Sequence, residues 1–203
     1  MRTAHTPKYM VACPIVTPHI LEFVRRLRYN FLGRMATGIT TPSFDHITFG
    51  QPFVTSYEEA STINLGIDIA ALRLFMGEHV FTLGEAKFFT SRMVDTLYLE
   101  VTTDKEVTGF LTKMRSALFS RSNISALGPQ LDGGKPKLHI TLFQGKGIAK
   151  NSKRLLRDIA LYNQSLKEIR AQNEEQLVVF ESFIPVLYAK YRSGWKMLSD
   201  NPD

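Results

Sequence analysis

The chain has almost no cysteine, since Cys13 is the single one among its 203 residues. One thiol cannot form an internal disulfide, and it cannot build a zinc site from several cysteines. We therefore expect a reducing compartment, in which folding depends on the packing of the chain alone.

Long apolar runs are also missing. Residues 1–9 contain no uninterrupted apolar stretch, and Pro14 and Pro18 interrupt the apolar segment that follows. This pattern predicts neither a signal peptide nor a membrane span. We expect a soluble intracellular protein, cytoplasmic or nuclear, with no membrane partner and with a flexible N-terminus over residues 1–8.

Acidic residues are outnumbered, with 19 Asp and Glu against 25 Lys and Arg, which gives a net charge of +6. This bias favours anionic, phosphate-bearing partners, although an ordinary basic surface has the same composition. A hydrophobic content of 44% over this length suits one folded domain, residues 1–203. No coiled-coil pattern is present, so we expect a monomer.

Candidate strands and helices alternate along the chain. The patterns predict helices at 18–32, 56–77, 103–119 and 152–173, and strands at 9–16, 44–54, 79–89, 94–101, 137–143 and 176–188. Each half offers a strand, a long helix, and then one or two strands. This order indicates an α+β fold of two lobes that share a cleft.

The tripeptide His-Ile-Thr occurs twice, beginning at His46 and at His139, and a large apolar residue follows each copy. Either copy alone suits an ordinary half-buried strand, but two copies among five histidines are improbable by composition. Alternation along a strand places each His on the same face as its Thr, Thr48 or Thr141. Two such strands side by side would present an acid, a base and two hydroxyl donors to one phosphate, with no metal required.

These paired motifs resemble the signature of the 2H phosphoesterase superfamily, in which two His-x-Ser/Thr-apolar segments are separated by roughly this distance. Both copies match without substitution, and the order of predicted elements agrees from about residue 9 to residue 188. The resemblance implies a bilobal fold of two antiparallel sheets with flanking helices, in which the motif strands line a central cleft. The superfamily includes cyclic nucleotide phosphodiesterases, RNA 3′-end exonucleases, ligase-like enzymes and enzymes that destroy 2′,5′-oligoadenylate.

The resemblance also implies catalytic roles for four residues. One of His46 and His139 would act as general base and the other would protonate the leaving oxygen, and the sequence leaves open which does which. Thr48 and Thr141 would donate hydrogen bonds to the non-bridging phosphate oxygens. No metal and no cofactor is implied.

The resemblance implies a frequent proline before each His in cellular members of the superfamily, and the chain departs from this pattern. Asp45 and Leu138 occupy these places. A residue at this position points away from the His face of a strand. The departure therefore leaves the four catalytic candidates intact and affects only the subfamily.

Three basic residues in predicted loops are candidates for binding a substrate phosphate. They are Arg34, Lys135 and Lys137, and solvated loop charges are the alternative. Arg28 shares a predicted helix with Arg25 and Arg26, where a solvated face is favoured over a nucleic-acid patch.

Three aromatic residues are candidates for stacking on a base. Phe143 is expected on the face of Thr141, where it would wall the cleft, and core packing is equally plausible. Tyr191 and Trp195 offer a second stacking platform, and a buried aromatic cluster is the alternative.

The sequence therefore predicts a metal-independent phosphodiesterase for a nucleotide or short RNA-like substrate. The candidates are 2′,5′-linked oligoadenylate, a cyclic nucleotide and a 2′,3′-cyclic phosphate. Two alternatives stay open: an RNA-end processing or ligating enzyme, and a nucleotide-binding or RNA-binding module without turnover. A long basic track would favour the former, whereas retention of both His and both Thr argues against the latter.

Overall fold

A computed structural model describes residues 7–33, 38–49, 52–74, 80–90, 94–127, 138–148, 152–172, 179–181, 185–191 and 194–198. Its four helices are α1 (Pro18–Leu32), α2 (Tyr57–Leu74), α3 (Lys105–Phe119) and α4 (Lys153–Gln172). Its strands are β1 (Lys8–Pro14), β2 (Ile39–Thr40), β3 (His46–Thr48), β4 (Phe53–Val54), β5 (Val80–Phe89), β6 (Asp95–Thr103), β7 (Ser125–Ala126), β8 (His139–Gly145), β9 (Val179–Glu181), β10 (Val186–Tyr191) and β11 (Gly194–Met197).

The described strands form one curled antiparallel sheet. Its main order is β11-β10-β1-β3-β8-β6-β5-β9, with β2 added beside β8, β4 beside β1, and β7 beside β4. The predicted α+β class is confirmed. Where the sequence suggested two sheets, direct pairing of β3 with β8 joins both halves of the chain into a single sheet.

Two of the described helices, α2 and α3, begin at polar residues whose side chains cap them. The Ser56 hydroxyl accepts a hydrogen bond from the Glu59 amide at 3.2 Å, and the Asp104 carboxylate accepts one from the Val107 amide at 2.8 Å. Such bonds satisfy amides that have no partner inside the helix. None of the described helices combines the length and the low charge needed to cross a bilayer.

Strand predictions were less accurate than helix predictions. The predicted strand 44–54 is two short strands, β3 and β4, and the predicted strand 176–188 covers β9 and the first part of β10. Periodicity does not reveal where a run of apolar residues changes its partner strand.

The helices cover one face of the sheet. The main apolar cluster combines inward residues of all four helices with strand residues of that face, among them Ile20, Ile63, Val107, Leu155, Ile47, Leu99 and Ile140. A second, smaller cluster on the opposite face contains Met10, Ala12 and Tyr188, and none of the described helix residues belongs to it. We call these two surfaces the helix face and the open face of the sheet.

Ile140 offers a direct test of the central strand pairing, because it is fully buried opposite Ile47 and Leu99. Its replacement by alanine should lower the free energy of unfolding by about 2–5 kcal/mol, through lost apolar contact and a residual cavity. The same change at Ile169, which is 39% exposed on α4, should cost within about 0.5 kcal/mol. Urea unfolding of both variants measures the difference, and equal losses would contradict the assigned core.

Candidate active site

The two His-Ile-Thr strands pair side by side. In the antiparallel register of β3 and β8, Ile47 lies opposite Ile140 and Thr48 lies opposite His139. Opposed residues share a face of the sheet, and both isoleucines are fully buried in the cluster on the helix face. His46, Thr48 and His139 therefore share the open face.

Thr141 belongs to the same face. On the neighbouring strand β6, Tyr98 lies opposite Thr141 and Glu100 lies opposite His139. Tyr98 and Glu100 are two residues apart and share a face, so Thr141 shares the face of His139. In such a sheet the Cβ atoms of opposed residues are about 5 Å apart and those of diagonal neighbours about 7 Å. The two imidazoles are diagonal neighbours, with the threonines at the other corners, and His46, Thr48 and His139 are at most 9% exposed.

The hydrogen bonding of His46 fixes the position of one ring proton. Its Nδ1 lies 3.0 Å from the carbonyl oxygen of Phe44, which can only accept, so Nδ1 donates and carries the proton. Burial lowers the pKa of His46 below 6.5, and this effect outweighs the Phe44 carbonyl and the Asp45 carboxylate, which raise the pKa. The ring therefore keeps a free lone pair on Nε2 at neutral pH, as a general base requires.

Aromatic rings border His46 on the open face. The ring of Phe44 stacks on His46 at 4.3 Å between centroids and on Tyr188 at 4.4 Å. Phe44 is half-buried. The sequence analysis missed this residue, although its position two residues before His46 places it on the same face of the strand.

A second aromatic pair borders His139. Phe89 and Tyr98 stack at 3.9 Å, and both present their rings edge-on to His139, at 5.1 and 5.4 Å. Burial raises the pKa of Tyr98, so its hydroxyl stays protonated. Local patterns could not identify this pair, because β5, β6 and β8 meet only through long-range strand pairing.

A cation lies near the same end of the site. Lys87 is the cross-strand partner of Tyr98, and its Nζ donates a hydrogen bond to the Glu100 carboxylate at 2.7 Å. This bond is the main reason that the pKa of Lys87 is raised. The ammonium group is therefore held beside the aromatic pair, at the edge of the open face.

Phe143 does not line the cleft. Tyr98 lies opposite Thr141 whereas Leu97 lies opposite Phe143, so Leu142 is the extra residue of a β-bulge. The bulge reverses the alternation and turns Phe143 into the core of the helix face, where it is fully buried. Its predicted role in stacking on a base is wrong.

The other two predicted stacking residues, Trp195 and Tyr191, lie on different faces of the sheet. Trp195 packs against the Tyr188 cluster on the open face, in agreement with the aromatic-cluster alternative. Tyr191 does not reach this cluster, because alternation from Tyr188 places it on the helix face, beneath the Lys196 ammonium group. Arg34, Lys135 and Lys137 lie outside the described residues.

An apolar cavity lies away from these residues. A space of about 320 Å³ opens between α2 and α3 on the helix side, and its walls include Ile63, Phe110 and Met114 together with Lys113 and Arg121. Over the part of the chain that the structure describes, no group of three or more His, Cys, Asp or Glu side chains is arranged to hold a metal.

No known family model matches the chain, and no curated protein matches it significantly. The resemblance to the 2H phosphoesterases therefore depends on the two motifs and on the order of the elements.

His46 should make folding stability dependent on pH. Because burial lowers its folded pKa below the ordinary 6.5, the stability that it contributes is complete above that pH and is lost as the pH falls through the folded pKa. Urea unfolding between pH 4.5 and 8 on wild type and His46→Gln measures this contribution. The variant should show a shallower fall on the acid side, and identical slopes would contradict a buried neutral His46.

Proposed function

We propose that the protein is a metal-independent phosphodiesterase of the 2H type that cleaves a small RNA-like substrate. Candidates are 2′,5′-linked oligoadenylate, a cyclic nucleotide and a 2′,3′-cyclic phosphate. The observation that carries the proposal is the register of β3 and β8, in which Thr48 faces His139 and both histidines share the open face. A pair of imidazoles around one phosphate suits acid–base cleavage of a diester.

In the proposed reaction His46 is the base. Its Nε2 removes the proton from a water molecule or a neighbouring ribose hydroxyl, whose oxygen then attacks phosphorus. His139 donates a proton to the departing ribose oxygen as the P–O bond breaks. Thr48 and Thr141 donate hydrogen bonds to the non-bridging oxygens, on which negative charge accumulates. Proton exchange with solvent, or reversed roles in a second step, restores both rings.

The aromatic border of His139 supports a nucleotide substrate. Phe89 on this side is half-buried. Bases stack on such rings with little sequence preference. Phe44, on the His46 side, already stacks on both His46 and Tyr188. One base of the substrate would thus find an aromatic surface beside His139.

The basic residues of α1 favour a small substrate over long RNA. Arg28 is only 12% exposed and forms an ion pair with Asp45, and exposed Arg26 is paired with Glu22. This helix therefore presents less free positive charge than its sequence suggests. A long RNA needs several unpaired cations along its path.

Loss of either histidine should abolish cleavage. With EDTA present, His46→Ala and His139→Ala should each lower kcat/KM by about 10²- to 10⁴-fold, because each removes one proton-transfer group. The substrates are 2′,5′- and 3′,5′-oligoadenylate, 2′,3′-cyclic nucleotides and cyclic dinucleotides, with products read by mass. His19→Ala, at an exposed position of α1, is the control and should keep full activity.

Two results would contradict the proposal. One is that no substrate is turned over by the wild type. The other is turnover that survives both histidine substitutions. Salt-sensitive binding of long RNA without cleavage would point to a binding module instead.

Phe89→Leu should weaken substrate binding. Since stacking of one base on an aromatic ring is worth about 1–3 kcal/mol, we expect KM to rise by about 5- to 100-fold. Tyr29→Leu is the control, because Tyr29 is 78% exposed on α1 and should leave KM unchanged. Steady-state kinetics on the cleaved substrate measures both values, and an unchanged KM in Phe89→Leu would exclude Phe89 from the base-binding surface.

A further inference from the structure

Arg28 leaves the solvent side of α1 and reaches into the sheet. Its Nε donates to the Leu142 carbonyl oxygen at 2.8 Å, and its Nη2 donates to the Thr141 carbonyl oxygen at 3.3 Å. The same Nη2 donates to the Asp45 carboxylate at 2.5 Å. The expectation of a solvated face is thus wrong for Arg28, whereas Arg25 and Arg26 are 63% and 76% exposed.

The two carbonyls that Arg28 binds lie where strand pairing is interrupted. On the edge of β8 opposite to β6, the pairing with β3 ends at Ile140 and the pairing with β2 begins at Gln144. Thr141 and Leu142 lie between the two pairings, at the β-bulge. Arg28 supplies hydrogen bonds at this break, where buried carbonyls need donors.

Asp45 holds the guanidinium group in place. Its side chain is only 8% exposed, and its carboxylate also lies 3.5 Å from Arg25 Nε. Its backbone carbonyl accepts a hydrogen bond from the Ile15 amide at 3.0 Å, which ties the residue to the end of β1. Asp45 directly precedes His46, so the ion pair links the first motif to the backbone of the second.

We propose that Arg28 and Asp45 are positioning residues, which fix His46 and Thr141 relative to each other across the break in strand pairing. The inference depends on the proposed function, because it concerns the geometry of the same site. The proposal also assigns a role to Asp45, which stands where the superfamily often has proline. The Asp45 carboxylate binds Arg28, and a proline at this position has no side-chain acceptor. Arginine suits this task because its planar group directs several donors at fixed angles.

Both charges also act on His46. The charged and titratable groups around this ring are Asp45 beside it, Arg28 from α1, His139 on β8 and Tyr188 on β10. Asp45 raises the pKa of His46 and Arg28 lowers it, both less than burial does. Substitutions of the pair should therefore change the pH profile as well as the rate.

The decisive comparison is Arg28→Lys with Arg26→Lys. Lysine keeps the positive charge beside Asp45, so the fold is retained, but its ammonium group lacks the planar fork in which Nε binds Leu142 while Nη2 binds Asp45 and Thr141. We expect kcat to fall by about 10- to 100-fold, as misplaced catalytic groups do, with KM within about threefold of wild type. Arg26→Lys, on the exposed side of the same helix, should match wild type. An unchanged kcat in Arg28→Lys would overturn the proposal.

The pH profile tests whether the two charges act on His46. Asp45→Asn should move the acidic limb of kcat to lower pH, because the unopposed Arg28 charge lowers the pKa of His46 further. Arg28→Met should move that limb to higher pH. Unchanged limbs in both variants would place the pair away from His46 and would overturn the proposal.

A measurement without substrate distinguishes the two proposals. In ¹H–¹³C spectra, Arg28→Lys should shift the ring resonances of both His46 and His139, and Arg26→Lys should shift neither. If the ring resonances shift but no substrate is turned over, the proposed function is contradicted and the positioning role is retained. If the ring resonances of His46 and His139 are unchanged in Arg28→Lys, the positioning role is contradicted whatever the activity.

Discussion

The pairing of Ile47 with Ile140 is the contact on which the rest of the site depends. Both side chains are fully buried, and their strands are central in the sheet. A slip of one residue in either strand would turn its His and Thr into the apolar core and expose its isoleucine. Hydrophobic burial on one face therefore fixes the position of the polar groups on the other.

The two histidines share a face but have different surroundings. His46 donates to a backbone carbonyl and lies flat against Phe44, whereas His139 meets the edges of Phe89 and Tyr98 and lies opposite Glu100. The carbonyl fixes the tautomer of His46, and burial favours a neutral ring. Separate environments for two similar groups are what distinct acid and base roles require.

Local sequence patterns predicted the helices and the face of each motif, since both depend on neighbours within four residues. They did not predict features that arise where distant segments meet. The bulge at Leu142 moved Phe143 to the core, and the aromatic pair beside His139 required β5, β6 and β8 to assemble. Arg28 was misjudged for the same reason, because nothing within its helix indicates an acceptor on a distant strand.

The buried ion pair has an energetic cost that apolar side chains would avoid, since both charges lose most of their hydration. Apolar replacements, however, would leave the carbonyls of Thr141 and Leu142 without the donors that Arg28 provides. Thr141 and Leu142 lie between the residues of β8 that pair with β3 and those that pair with β2, so neither strand supplies these donors. The β-bulge, Arg28 and Asp45 therefore depend on one another, and together they connect α1 to both motifs.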